Sequence, residues 1–224
     1  MLIPLLLLAS CVSSSARTFT VSDRRAALEV LGRDMIDEAR QVSAEAAAAH
    51  LERFLSDSYT VYEPYVPLYG EIQERYLGSL AALVCSISDD VYDIVLSSLE
   101  ATAASDPDSI VRTAQGLTAA LQDANARRVY GFLVDEAIAA AGEISSAFHE
   151  SWTAFMSVRD AYLNLASAGY ALILPPPLPI SSETLAFAAE DYLFSRLSDA
   201  EDRLRGELPE SDDSPYAVFW EVRP

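Results

Sequence analysis

Residues 181–205 read SSETLAFAAEDYLFSRLSDAEDRLR, and this stretch decides the fold class. Ser181-Ser182-Glu183 is a helix start, with hydroxyls able to accept from the free amides of a first turn and an acid beside them. Leu185, Ala188, Ala189, Tyr192 and Leu197 then recur at the three- and four-residue spacing of one apolar helix face. On the polar side, Asp199 and Glu201 stand four residues before Arg203 and Arg205, the spacing of exposed ion pairs worth roughly a few tenths of a kcal/mol each. A helix with one apolar stripe needs other helices to cover it.

The rest of the chain supplies them. After Ser22-Asp23, another start signal, Leu28, Leu31, Met35, Ile36 and Val42 follow at helical spacing, and the pattern runs on through the alanines at 46–49 to Leu51, Phe54 and Leu55. Pro64 and Pro67 interrupt it. Periodicity returns at Ile72, Tyr76, Leu80, Leu83 and Val84, and Ser88-Asp89-Asp90 is expected to cap a further helix carrying Val91, Ile94, Val95 and Leu99. Asp106-Pro107 is the clearest start signal in the chain, an N-cap acceptor followed by proline at the first helical position. Ile110, Val111, Ala114, Leu117 and Leu121 continue from it. Residues 129 to 165 read as two helices with a bend near Gly142, and Pro175-Pro176-Pro177-Leu178-Pro179 must end helix. The tail Pro215-Tyr216-Ala217-Val218-Phe219-Trp220 is apolar enough to dock on the body, with residues 216–222 the one stretch that could alternate as a strand. The expectation is an all-α, single-domain bundle of about seven helices over residues 22–224.

Composition narrows function. Half the residues are hydrophobic and only 8 of 224 are glycine, so the chain has a folding composition. The net charge of −19 repels phosphate backbones, which argues against nucleic acid as a partner. It disfavours anionic lipid headgroups equally, so membrane attachment would need a covalent anchor. All 15 basic residues are arginine, which excludes Schiff-base and phosphate-loop lysine chemistry. Codon bias in a GC-rich genome accounts for the missing lysine, and adaptation to high salt is the alternative.

The amino terminus offers that anchor. An apolar run reaches Leu8, and Ala9 and Ser10 precede Cys11. The run is too short to span a bilayer, which takes about 20 residues, but suits the core of a signal peptide. Leu8-Ala9-Ser10-Cys11 resembles the bacterial lipobox, and the resemblance implies cleavage after Ser10 and acylation of Cys11. Residues 1–10 would then be a signal peptide and 11–21 a polar tether. No basic residue precedes the run, so the signal is atypical or its basic region lies upstream of Met1. Cleavage after Ser14-Ser15-Ala16 is the rival reading. Val12 is not the aspartate associated with inner-membrane retention, so the resemblance implies the outer membrane, facing the periplasm, in a cell with two. With Cys11 acylated, Cys85 has no partner in the chain and reads as a small buried hydrophobe.

Three further stretches carry a resemblance to a family. They are the alanine-rich run from Ala44 to Leu55 followed by Val66-Pro67-Leu68; Tyr130-Gly131-Phe132-Leu133-Val134-Asp135-Glu136-Ala137 with the helix reaching Tyr162 and Leu165; and Glu190-Asp191-Tyr192-Leu193-Phe194-Ser195-Arg196-Leu197 with Pro209 and an aromatic-rich end. Together they resemble the bacterial helical family termed domain of unknown function 4197, over roughly residues 35–224. Where that family has an Asn-Arg-Ala-Ala-Glu motif, this chain has Ser97-Ser98-Leu99-Glu100-Ala101. The resemblance implies export and a helical fold, and brings no activity or cofactor.

Residues of catalytic type form no recognised pattern. His50 and His149 lie outside any ligand-spaced cluster, and no phosphate loop, nucleophile elbow or EF-hand spacing occurs. Asp89-Asp90-Asp93 and Ser211-Asp212-Asp213 read as solvated caps. No metal or cofactor is expected. Three functions stay open: a non-catalytic structural or interaction module of the cell envelope, with envelope proteins as partners; a binder of an apolar or lipid-like ligand between helices, through Tyr59, Tyr62, Tyr65, Phe148, Trp152 and Phe155; and a hydrolase using a carboxylate pair. The first is the leading reading.

Overall fold

The computed structural model describes residues 18–54, 69–165, 181–207 and 214–222, without the side chains of residues 69, 72, 141–152, 154–165 and 220–222. Among these residues it is an all-α bundle: α1 (Val21–Ala39), α2 (Ala44–Leu51), α3 (Tyr69–Leu96), α4 (Leu99–Ser105), α5 (Pro107–Arg112), α6 (Gly116–Leu165) and α7 (Ser182–Gly206), with 3-10 turns at Glu52–Phe54 and Pro215–Val222. No described residue is in a strand.

Local chemistry sets the starts. α1 opens two residues before the expected signal: Thr20 accepts from the Asp23 amide while the Asp23 carboxylate accepts from the Thr20 amide, a reciprocal capping box. Ser43 caps α2, Asp106 caps α5 by accepting from Ser109, and Ser181 caps α7 by accepting from Thr184. The cap at Ser43 corrects the expectation of a helical pattern unbroken from Val42 to Leu51. The chain turns at Arg40–Ser43, where the Val42 amide donates to the Arg40 carbonyl.

Two expected boundaries are absent. Ser88-Asp89-Asp90 caps nothing, because α3 is continuous from Tyr69 to Leu96. The Ser88 hydroxyl is turned inward and donates to the Cys85 carbonyl of its own helix, satisfying itself without ending the turn. Nor do two helices meet near Gly142: α6 runs from Gly116 to Leu165 without interruption, about 75 Å at about 1.5 Å per residue. A single glycine lowers helix propensity by only about 1 kcal/mol, which a long helix absorbs.

One boundary is additional. The helix opened by Asp106-Pro107 stops after six residues at Arg112, and α6 begins again at Gly116. Gln115 between them adopts φ 54°, the left-handed region. A Cβ on Gly116 would stand 2.4 Å from the Ile110 carbonyl oxygen, so the corner requires glycine there. The closing segment, the one candidate strand, is a 3-10 turn whose Ala217, Val218 and Phe219 are buried.

The helices share one core. α6 packs on α7 and α3, α1 on α7, and α2 on α3 and α7. Leu28, Leu31, Met35 and Ile36 of α1 meet Leu80, Val84, Val91, Tyr92 and Val95 of α3, Leu117, Leu121, Val129 and Leu133 of α6 and the stripe Leu185, Ala188, Ala189, Tyr192 and Leu197 of α7, all buried. Each large aliphatic side chain so placed contributes about 1.5–3 kcal/mol. Packing is tight at Gly32, where a Cβ would lie 2.3 Å from Leu99 Cδ1.

Candidate functional site

None of the side chains singled out for ligand binding or lipidation lies in the described part. Cys11, Tyr59, Tyr62 and Tyr65 are outside the described residues. Phe148, Trp152 and Phe155 lie on the helical backbone of α6, with their side chains outside the description.

What the fold brings together instead is a buried polar junction between α7 and the α5–α6 corner. Glu201 is 0 % exposed. One carboxylate oxygen accepts from the Leu117 amide at 3.1 Å, the other from the Thr118 amide at 2.7 Å, so Glu201 caps α6 from another helix. Arg205 pairs with the same carboxylate at 2.6 Å. Its guanidinium also donates to the carbonyls of Ile110, Val111 and Thr113 at 3.1, 2.9 and 3.1 Å, and its Cζ lies 4.6 Å from the centre of the Phe219 ring. Four segments, α5, α6, α7 and the C-terminal turn, are thus tied by two side chains. The expected surface pair Glu201–Arg205 exists, but it is buried. The signal was available: Glu201 stands at i+4 from Leu197 and i−3 from Leu204, on the apolar stripe.

The second expected pair does not form. Arg203 donates to Glu38 of α1 and to Glu207, not to Asp199. Hydrogen bonding to Arg203 holds the Glu38 carboxyl below the ordinary glutamate value. The Tyr216 hydroxyl donates to Asp34 alongside, and burial first, then that hydrogen bond, raises its pKa. These groups rim a shallow surface depression of about 580 Å³, lined by Asp34, Asp37, Glu38, Arg203, Glu207 and Tyr216. Asp89 and Asp93, expected as solvated caps, pair with Arg40 across the α1–α3 contact.

His50 is 8 % exposed at the end of α2. Its Nε2 lies 2.9 Å from Asp191 Oδ2 on α7, and its ring packs at 5.2 Å from Tyr192 and 5.8 Å from Phe54. His50 is thus a packed histidine with Asp191 as its polar neighbour. Desolvation raises the Cys85 thiol, which keeps it protonated near neutrality and poorly nucleophilic. Among the described residues no three His, Cys, Asp or Glu side chains gather as a metal site, and no helix is long and apolar enough to cross a membrane.

No family model matches the chain, and neither a curated protein nor a solved structure is significantly similar to it.

Proposed function

We propose that the protein is a lipid-anchored, non-catalytic module of a bacterial cell envelope, held through Cys11 and working by presenting a rigid helical body to other envelope components. The sequence Leu8-Ala9-Ser10-Cys11 supports the location, and Val12 supports an outer-membrane destination where a cell has two membranes. The observation that carries the role is Glu201. Its carboxylate is fully buried and accepts from two α6 amides and Arg205, which makes it a tie between helices. His50 and Asp191 tie α2 to α7 in the same way. Rigidity is what a scaffold or docking body requires, whereas an acid–base pair needs ionisable groups facing a substrate. The resemblance to domain of unknown function 4197 agrees with an exported helical module.

Replacing Cys11 by alanine and fractionating the cells tests the anchor. The wild-type chain should sediment with membranes and carry acyl chains on its first residue by mass spectrometry, and C11A should be released. A C11A protein that stays with the membrane would refute the reading.

A further inference from the structure

The two ends of the bundle are far apart, and chain connectivity ties one of them to Cys11. Val21, the first residue of α1, is ten residues beyond Cys11, so even a fully extended chain keeps it within about 35 Å of that cysteine. α4 and α5 lie at the same end, through Arg25–Glu100 and Arg24–Asp108. α1 then leads away for about 28 Å. Near its far end Arg196 of α7 donates to the Gln41 carbonyl, and Arg203 reaches Glu38, so α7 runs antiparallel to α1. Ser182 lies fourteen residues before Arg196 on α7, about 21 Å further out. The start of α7 therefore lies about 50 Å from Val21, with α2 beside the turns that follow it through His50–Asp191 and the start of α3 beside α2 through Gln73–Glu52.

The two ends also differ in charge. Around the start of α1, along α4 and α5 and on the end of α7 that packs there, Arg24, Arg25, Arg112 and Arg205 stand against Asp23, Glu29, Glu100, Asp106, Asp108, Glu201 and Asp202. Among the side chains described at the other end, Arg53 and Arg75 stand against Glu45, Glu52, Glu71, Glu74, Glu183, Glu190 and Asp191. Desolvation first, and the charge of Asp191 second, raise the Glu190 carboxyl. A surface of anionic lipid repels the second set more strongly, over about one Debye length.

Building on the lipid-anchor reading, we infer that the end formed by the start of α1 with α4 and α5 faces the lipid surface, and that the bundle stands out from it with α2 and the start of α7 turned away. Outward-facing Phe187, 56 % exposed and in edge contact with Phe54, then belongs to the end open to other envelope components.

The test uses acylated full-length protein carrying Cys85→Ala and one surface cysteine for a fluorescent donor, Ser22→Cys or Glu183→Cys, in phosphatidylcholine–phosphatidylglycerol vesicles with a headgroup-linked acceptor. Circular dichroism first establishes that both variants fold. Energy transfer should be severalfold greater from the Ser22→Cys position, and the difference should narrow as salt is added. Equal transfer from both positions, or greater transfer from Glu183→Cys, would overturn the orientation while flotation with the vesicles still upheld the anchor. Acylated protein that fails to float with the vesicles would overturn the anchor and the orientation together.

Discussion

Replacing Glu201 by alanine removes three interactions at once. The Leu117 and Thr118 amides at the first turn of α6 lose their acceptor, and the Arg205 guanidinium, whose side chain is 14 % exposed, loses its counter-charge. Water cannot readily replace an acceptor at a position with no exposed surface. Each orphaned amide costs about 1–3 kcal/mol, and breaking a buried ion pair from one side costs about 3–5 kcal/mol. These overlap, because the same carboxylate serves all three donors, so E201A should lose about 3–5 kcal/mol. At about 2–4 °C per kcal/mol for a chain of this size, that is a fall in Tm of about 6–20 °C. The carbonyl of E201Q can still accept from one amide, so this variant should fall between. Removing both partners, as in Glu201→Leu with Arg205→Met, should cost less than the two single changes summed, since no lone buried charge remains. Thermal and urea unfolding followed by circular dichroism measures each variant. A loss below about 1 kcal/mol in E201A would refute the claim that this junction holds α7 to the α5–α6 corner.

The two crowded glycines should respond differently to alanine. Gly116→Ala meets a backbone carbonyl oxygen at 2.4 Å that side-chain adjustment cannot relieve, whereas Gly32→Ala meets the Leu99 side chain. Gly32→Ala should cost about 1–3 kcal/mol, and Leu99→Ala should cost less in its presence than alone; no such partner should relieve Gly116→Ala, and losses for Gly32→Ala and Leu99→Ala that simply add would contradict the packing. Glu38, whose pKa the hydrogen bond from Arg203 lowers, contributes stability above its ordinary value of 4.5 and loses it as the pH falls through its lower folded value. Urea midpoints of Glu38→Gln and wild type should therefore differ at neutral pH and converge in acid; a difference that persists in acid would show that the effect is not the charge.

Much of the fold was legible in the order of residues because helix caps and apolar periodicity are local. Asp106 and Ser181, both legible as helix starts, act on amides three residues away, as do Thr20 and Ser43, which were not, and the buried stripe of α7 is a consequence of 3.6 residues per turn. Boundaries that depend on packing were not legible. Ser88 has a capping side chain in a capping context, yet its burial inside α3 turns it to its own helix. The break at Gln115 depends on a carbonyl of α5 approaching Gly116. Of the polar pairs, the spacing of Glu201 and Arg205 was legible and their burial was not.

By itself the sequence determined an acidic, lysine-free, all-helical chain with capped helices and an apolar face on each, since these follow from composition and from contacts within about one helical turn. The tertiary structure alone decided that Glu201 is a buried cap for a helix more than eighty residues earlier, that Arg203 serves Glu38, and that His50 meets Asp191. Those pairings depend on which faces meet when apolar stripes are buried, and a carboxylate that looks solvated on one helix becomes interior once a second helix covers it.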